Sequence, residues 1–168
     1  MGLYVCMQIF VILKLLTLLA VANGVPVIAK RLFGNRLSYA LDGGARFIDG
    51  RPLFGTSKTV RGLLLSIAAT TAVPRLLGLD FTTGFLIGLG AMAGDLLSSF
   101  TKRRLGMKPS SRATGLDQIP ESLLPALMCW KHLSLSLTDV IALVAAFFVG
   151  EILLSLLLFK AHIRDRPY

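Results

Sequence analysis

Five stretches of this 168-residue sequence are apolar over close to the length that a bilayer crossing requires. A helix needs about 20 mostly apolar residues to cross a hydrocarbon core of about 30 Å. The stretches are 3–22, 62–77, 82–100, 117–135 and 139–159. The fourth is the weakest, because Asp117, Pro120, Glu121 and Pro125 fall in its first half. None alternates polar and apolar residues with a period of two, so a β-barrel is not expected. The sequence predicts an all-α, polytopic membrane helix bundle of about five transmembrane helices. It reads as one domain, 1–168, without internal repeats or a low-complexity linker. Composition points the same way: only 16% of residues are charged, against about 25% in soluble domains, and mean hydropathy is +0.72. That excludes a disordered chain, a disulfide-rich secreted scaffold and an ordinary soluble enzyme. Cys6 and Cys129 have no metal-site spacing and are expected to be small buried hydrophobes.

Basic residues orient the bundle. Segments 23–61 and 101–115, with the tail after the fifth stretch, hold fifteen of the eighteen Lys and Arg residues. Five crossings put all three on one face, and positive charge concentrates on the cytoplasmic face. The N-terminus is therefore expected outside and the C-terminus in the cytoplasm. Ala20-Val21-Ala22 is similar to a signal-peptidase site, but no basic region precedes the apolar run and Lys14 lies within it, so a span is expected instead. The net charge of +9 is explained by topology and by attraction to anionic membrane lipids. No nucleic-acid partner is expected.

Charges inside spans are costly and mark candidate sites. Asp95 lies about one and a half turns from the cytoplasmic end of the third stretch. Asp117 and Glu121 open the fourth at the same face, four residues apart and so on one side of a helix. The connection between these stretches is short, so the three carboxylates are expected to converge just below the cytoplasmic surface. Carboxylates bind Mg²⁺, and Lys102, Arg103, Arg104, Lys108 and Arg112 nearby suit phosphate oxygens. The competing reading is structural ion pairing among these same residues. Ser98 and Ser99 follow Asp95 on nearly the same face and either orient phosphates or bond back to the helix. Glu151 either pairs with Lys14 or lines a path. His132 has no evident partner.

The first basic segment contains Asp42-Gly43-Gly44 and then Asp49 to Gly62. Gly55-Thr56-Ser57-Lys58-Thr59 is not a phosphate-binding P-loop, since the spacing fails and no strand precedes it. It is either an ordered loop or a phosphate cradle. In the second case Thr56, Ser57, Lys58, Thr59 and Arg61 gather ahead of a helix N-terminus at Gly62.

Gly94-Asp95-Leu96-Leu97-Ser98-Ser99-Phe100-Thr101-Lys102-Arg103-Arg104, continuing to Lys108-Pro109 and Asp117-Gln118-Ile119-Pro120-Glu121, resembles the phosphatidate cytidylyltransferase family. The stretch Asp49-Gly50-Arg51 to Phe54-Gly55, with Lys58-Thr59 and Arg61-Gly62, is similar to the first cytoplasmic loop of its archaeal branch, the CDP-archaeol synthases. Bacterial and eukaryotic members carry Lys-Asp, His-Gly-Gly and Asp-Arg where this chain has Lys108-Pro109, Ser111 to Gly115 and Asp117-Gln118. The difference argues for the archaeal branch. The resemblance implies transfer of a cytidylyl group from CTP to unsaturated archaetidic acid, an isoprenoid ether lipid phosphate, with Mg²⁺, giving CDP-archaeol and pyrophosphate. It implies metal ligation by Asp95, Asp117 and Glu121, with Lys102 and Arg103 beside them, and phosphate binding by the cradle residues, Ser98, Ser99, Lys108 and Arg112. Alternatives are a CDP-diacylglycerol synthase acting on phosphatidate, a small transporter and an assembly protein. One-sided charge and the lack of an inverted repeat speak against a transporter.

Overall fold

The computed structural model describes residues 2–160 apart from Asn35 and Arg112, with helical side chains from Ile9 to Ser155. Five helices run in the order α1 (Gly2–Phe33), α2 (Val60–Ala72), α3 (Phe81–Arg104), α4 (Gln118–Cys129) and α5 (Leu137–Lys160), with a 3₁₀ turn at Pro74–Leu77. Among the described residues the only β-pairing is two isolated bridges in the first loop region, so the all-α expectation holds. Four helices are long and apolar enough to cross a membrane: Ile9–Phe33, Val60–Leu77, Phe81–Arg104 and Leu137–Ser155. The arrangement is that of a polytopic membrane protein.

Two boundaries differ from the sequence expectation. The first stretch was expected to end at residue 22, yet α1 continues to Phe33, so 23–33 is helix rather than loop. Pro26 cannot donate to the carbonyl of Ala22, which normally breaks a helix. Ser66 on α2 replaces that donor, its hydroxyl bonding the Ala22 carbonyl at 2.7 Å. At 32 residues and about 1.5 Å per residue, α1 extends beyond the hydrocarbon core.

The fourth stretch is also not a full span. α4 has 12 residues, about 18 Å of helix. The chain nevertheless travels the length of α3. It starts where Asp117 pairs with Lys102 at 2.6 Å, near the end of α3. It returns to the start of α3, where His132 meets Asp80 at 2.8 Å. His132 thus has a partner that sequence reading did not see. Asp80 also caps α3 by accepting from the backbone of Thr83 at 2.7 Å. The Thr83 N–H and then His132 lower its pKa below the ordinary value.

Glycines on α3 set the close approaches. A Cβ on Gly90 would meet the backbone of Pro125, and one on Gly94 would collide with the backbone of Pro120 and Glu121. Gly84 and Gly88 are similarly blocked by Thr70, Ile67 and Pro74 on the α2 side. Two glycine pairs, each four residues apart, let α3 pack against both neighbours at once. The apolar core lies between α1, α3, α4 and α5, around Leu15, Leu18, Ile87, Ala91, Ala126 and Leu143. Cys129 is buried and free in that core, as expected; the side chain of Cys6 lies outside the described residues.

Candidate active site

The first loop is built around Asp42. One carboxylate oxygen accepts from the backbone N–H groups of Phe54 at 3.0 Å and Gly55 at 2.9 Å, and the other from Gly44 at 3.1 Å. Gly55 sits at φ 90°, in the left-handed region. A side chain there would be strained and would press on Pro109. Partial burial raises the pKa of Asp42, but the N–H bonds from Gly55, Phe54 and Gly44 outweigh it and leave the carboxyl below 3.8. Asp42 therefore stabilises the loop at and above that pH, and the contribution fades as pH falls through the lowered value. Asp42→Ala should orphan these donors and release the loop. We expect at least a tenfold loss of activity, with helical content by circular dichroism unchanged. Unchanged activity would show that the loop does not need this anchor.

This anchoring delivers Lys58 to the end of the loop, where Leu41 N–H bonds its carbonyl at 2.8 Å. Thr59 caps α2 by accepting from Gly62 N–H at 3.2 Å. The Lys58 ammonium bonds both carboxylate oxygens of Asp95. Glu121, 8% exposed, lies close to Asp95, with Glu151 nearby. These groups line a cavity of about 490 Å³. Ser57, Thr59 and Ser110 also line it, and Asn23, Val27 and Lys30 form its α1 wall. Ser110 adopts φ 60°, unusual for a residue other than glycine.

The second loop is locked to the first. Arg104 pairs with Asp49 at 2.5 Å and lies over the rings of Phe47 and Phe100, 4.9 and 4.8 Å from their centroids. Arg51 bonds the carbonyls of Arg103 and Arg104, closing the end of α3. Lys102 pairs with Asp117 and donates to the Ser111 carbonyl at 3.0 Å. Arg103 is 3% exposed. Its Nη2 donates to the Lys108 carbonyl at 2.8 Å, while Nε and Nη1 have no hydrogen-bond partner among the described residues.

The sequence-expected residues thus divide. Lys58, Ser57, Thr59, Asp95 and Glu121 come together around the cavity. Asp117 does not line it: Lys102 holds it in an ion pair, as the competing reading supposed. Among the described residues no three acidic, His or Cys side chains gather closely enough to hold a metal by themselves. Arg61 is turned away; it donates to the carbonyls of Gly34 and Arg36 at the end of α1 and covers Phe33. A helix C-terminus leaves carbonyls that need such donors. Ser98 is fully buried and bonds back to the Asp95 carbonyl at 3.0 Å; Ser99 is also buried. Thr56 and Lys108 are exposed on the loops, and Arg112 lies outside the described residues. Glu151 lines the cavity, whereas Lys14 lies beside Gly78 near the start of α3, so the two do not pair. The sequence analysis did not weigh the neutral Asn23 within α1, and it took Lys30 as topological. A polar residue inside the apolar run of α1 was the available signal.

Mg²⁺ takes oxygen ligands and is commonly held by one or two carboxylates together with substrate phosphates. Asp95 and Glu121 fit that pattern. Glu151, Lys58 and Lys30 also line the cavity.

A charged cavity walled by the helices of a membrane bundle is the architecture of a membrane-embedded enzyme that handles anionic substrates. The chain belongs to the CarS-like CDP-archaeol synthase family, whose model matches residues 7–168. It is 34% identical over 166 residues to the CDP-archaeol synthase of Sulfurisphaera tokodaii, covering 95% of this chain and 96% of that protein. It is 38% identical over 127 residues to that of Pyrobaculum arsenaticum, covering 73% and 76%. Its match to that of Hyperthermus butylicus is 40% over 108 residues, covering 58% of this chain and 59% of the relative's length. A solved structure of an intramembrane enzyme for archaeal membrane lipid biosynthesis superposes with a TM-score of 0.71 at 31% identity, covering 90% of this chain and 92% of that one.

Proposed function

We propose that this chain transfers the cytidylyl group of CTP to an isoprenoid ether lipid phosphate, releasing pyrophosphate and forming CDP-archaeol. The observation that carries the reading is the cavity that joins Lys58, Asp95 and Glu121 within a membrane bundle. A phosphate oxygen of the lipid attacks the α-phosphorus of CTP. The new P–O bond forms as the bond to the β-phosphate breaks, and pyrophosphate leaves. The nucleophile is already anionic, so no general base is required. The task is to bring two polyanions together, which depends on positioning and charge compensation.

Asp95 and Glu121 would hold Mg²⁺. When bound, the ion neutralises phosphate charge and polarises the reacting phosphoryl group. Lys58, fixed by Asp95, presents its remaining N–H to a phosphate oxygen. Ser57 and Thr59 border the same space. Arg103, at the joint of the two loops and with two guanidinium nitrogens unpartnered among the described residues, is the cation assigned to the departing pyrophosphate. Lys102 and Asp117 hold that joint together. The basic asymmetry supports a cytoplasmic position for these loops, where CTP is found, while the isoprenoid chains stay in the bilayer.

The reading is tested with purified protein, radiolabelled CTP, Mg²⁺ and geranylgeranyl ether lipid phosphate. Label should move into the organic phase, and more slowly with diacyl phosphatidate. No transfer to either lipid would overturn it. Lys58→Ala should raise the KM for CTP more than tenfold. Arg36→Ala, an equal loss of positive charge on the same face, should leave it within about twofold. Equal, small effects from both changes would remove Lys58 from the phosphate site.

A further inference from the structure

Asn23 lies on α1, one residue past the carbonyl freed by Pro26, and lines the same cavity as Asp95 and Glu121. Its amide nitrogen is buried and has no hydrogen-bond partner among the described residues. A buried donor of this kind is costly to leave unmade, and a leucine of similar size would fill the position without that cost. The carboxylates of the cavity are acceptors, yet the amide bonds none of them. Its position shows what it would meet. Val27, four residues on and on the same face of α1, also lines the cavity but is 64% exposed. Val27 belongs to Ile9–Phe33, the part of α1 long and apolar enough to cross a membrane. The cavity therefore opens along an apolar face of α1, the side from which a lipid would approach, and Asn23 lines it beside that opening. Lys58, Ser57 and Ser110 border the loop side, from which a nucleotide comes.

We infer that Asn23 binds the lipid phosphate as it enters from the bilayer, its amide donating to a non-bridging phosphate oxygen. The inference rests on the cytidylyl-transfer reading and assigns that reaction's lipid side to α1. A neutral donor suits this place chemically. The attacking oxygen must stay anionic, and an amide orients a phosphate without neutralising it, as a lysine there would. The bond to Asn23 turns a second oxygen of the same phosphate toward the α-phosphorus of CTP. That oxygen then forms the new P–O bond while pyrophosphate departs with the electron pair.

Steady-state kinetics in detergent, varying lipid phosphate at saturating CTP and the reverse, test the assignment. Asn23→Leu should raise the KM for the lipid phosphate at least tenfold and leave the KM for CTP within twofold. Its Tm in detergent should be unchanged or higher, since an unmet donor has been removed. Asn23→Gln, which keeps the amide, should recover part of the lipid KM. Asn23→Asp, the same shape with an anionic acceptor, should be worse than leucine and covers the case in which Asn23→Leu does not fold. An unchanged lipid KM in both Asn23→Leu and Asn23→Asp overturns the inference, as does a rise confined to the KM for CTP. A wild-type protein that labels no lipid phosphate overturns the reaction reading itself, a different failure read in a different tube.

Discussion

Asp95→Asn lowers kcat/KM by at least two orders of magnitude, about 2.7 kcal/mol of transition-state stabilisation, while the protein remains folded in detergent. Asparagine has nearly the same shape, so the packing of α3 is retained. What is lost is charge. Asp95 receives both bonds from Lys58 and lies against Glu121, so it connects the first loop, α3 and α4 at one point. The amide can neither neutralise Lys58 nor offer, with Glu121, the pair of anionic oxygen donors proposed for Mg²⁺. Raising the Mg²⁺ concentration should recover little activity. Asp117→Asn should behave differently, because Asp117 faces Lys102, which is 7% exposed. Removing one member of a buried pair strands the other, so this change should lower Tm more than it lowers turnover at saturating substrate. The experiment is a kinetic and thermal comparison of the two variants. Near-normal turnover in Asp95→Asn would remove Asp95 from the chemistry. A loss of turnover in Asp117→Asn with unchanged Tm would return Asp117 to the catalytic set.

Gly94→Val should be strongly destabilising. A Cβ at this position collides with the carbonyl of Pro120 and the Cα of Glu121, and both are backbone atoms that cannot swing aside. Overpacking against movable side chains costs about 1–3 kcal/mol; here α4 itself must move away from α3. We expect a loss of about 3 kcal/mol or more, and roughly 2–4 °C of Tm per kcal/mol for a chain of this size. Displacing α4 also carries Glu121 away from Asp95, so activity should fall with stability. Gly150→Val on α5, where nothing lies within 4 Å of the added Cβ, is the control and should change Tm little. Similar effects from both valines would mean that α3 and α4 are not held at the distance their glycines allow.

Several features were legible in the sequence because they follow from local chemistry. Apolar length identified five helical segments, since an unpaired backbone cannot remain in lipid. The charges within those segments singled out Asp95 and Glu121, and the segment after Gly55 singled out Lys58, because charge in or near hydrocarbon needs a reason. The glycine pairs of α3 were equally visible as Gly84-x-x-x-Gly88 and Gly90-x-x-x-Gly94, but their consequence depends on which helices face them.

Pairing was decided only by the tertiary structure. Asp117 and Glu121 share one side of α4 by spacing, yet one faces Lys102 and the other faces Asp95, because α4 crosses α3 at Gly90 and Gly94. Arg61 looked like a phosphate ligand beside Lys58, yet the open carbonyls at the end of α1 claim it. Pro26 reads as a helix stop until Ser66, forty residues later in the chain, supplies the missing donor. Asn23 and Glu151 carry no local sign that they share a cavity with Lys58. Spacing along a chain determines which face of a helix a residue occupies. What that face meets depends on contacts between segments far apart in sequence, and those exist only once the bundle has closed.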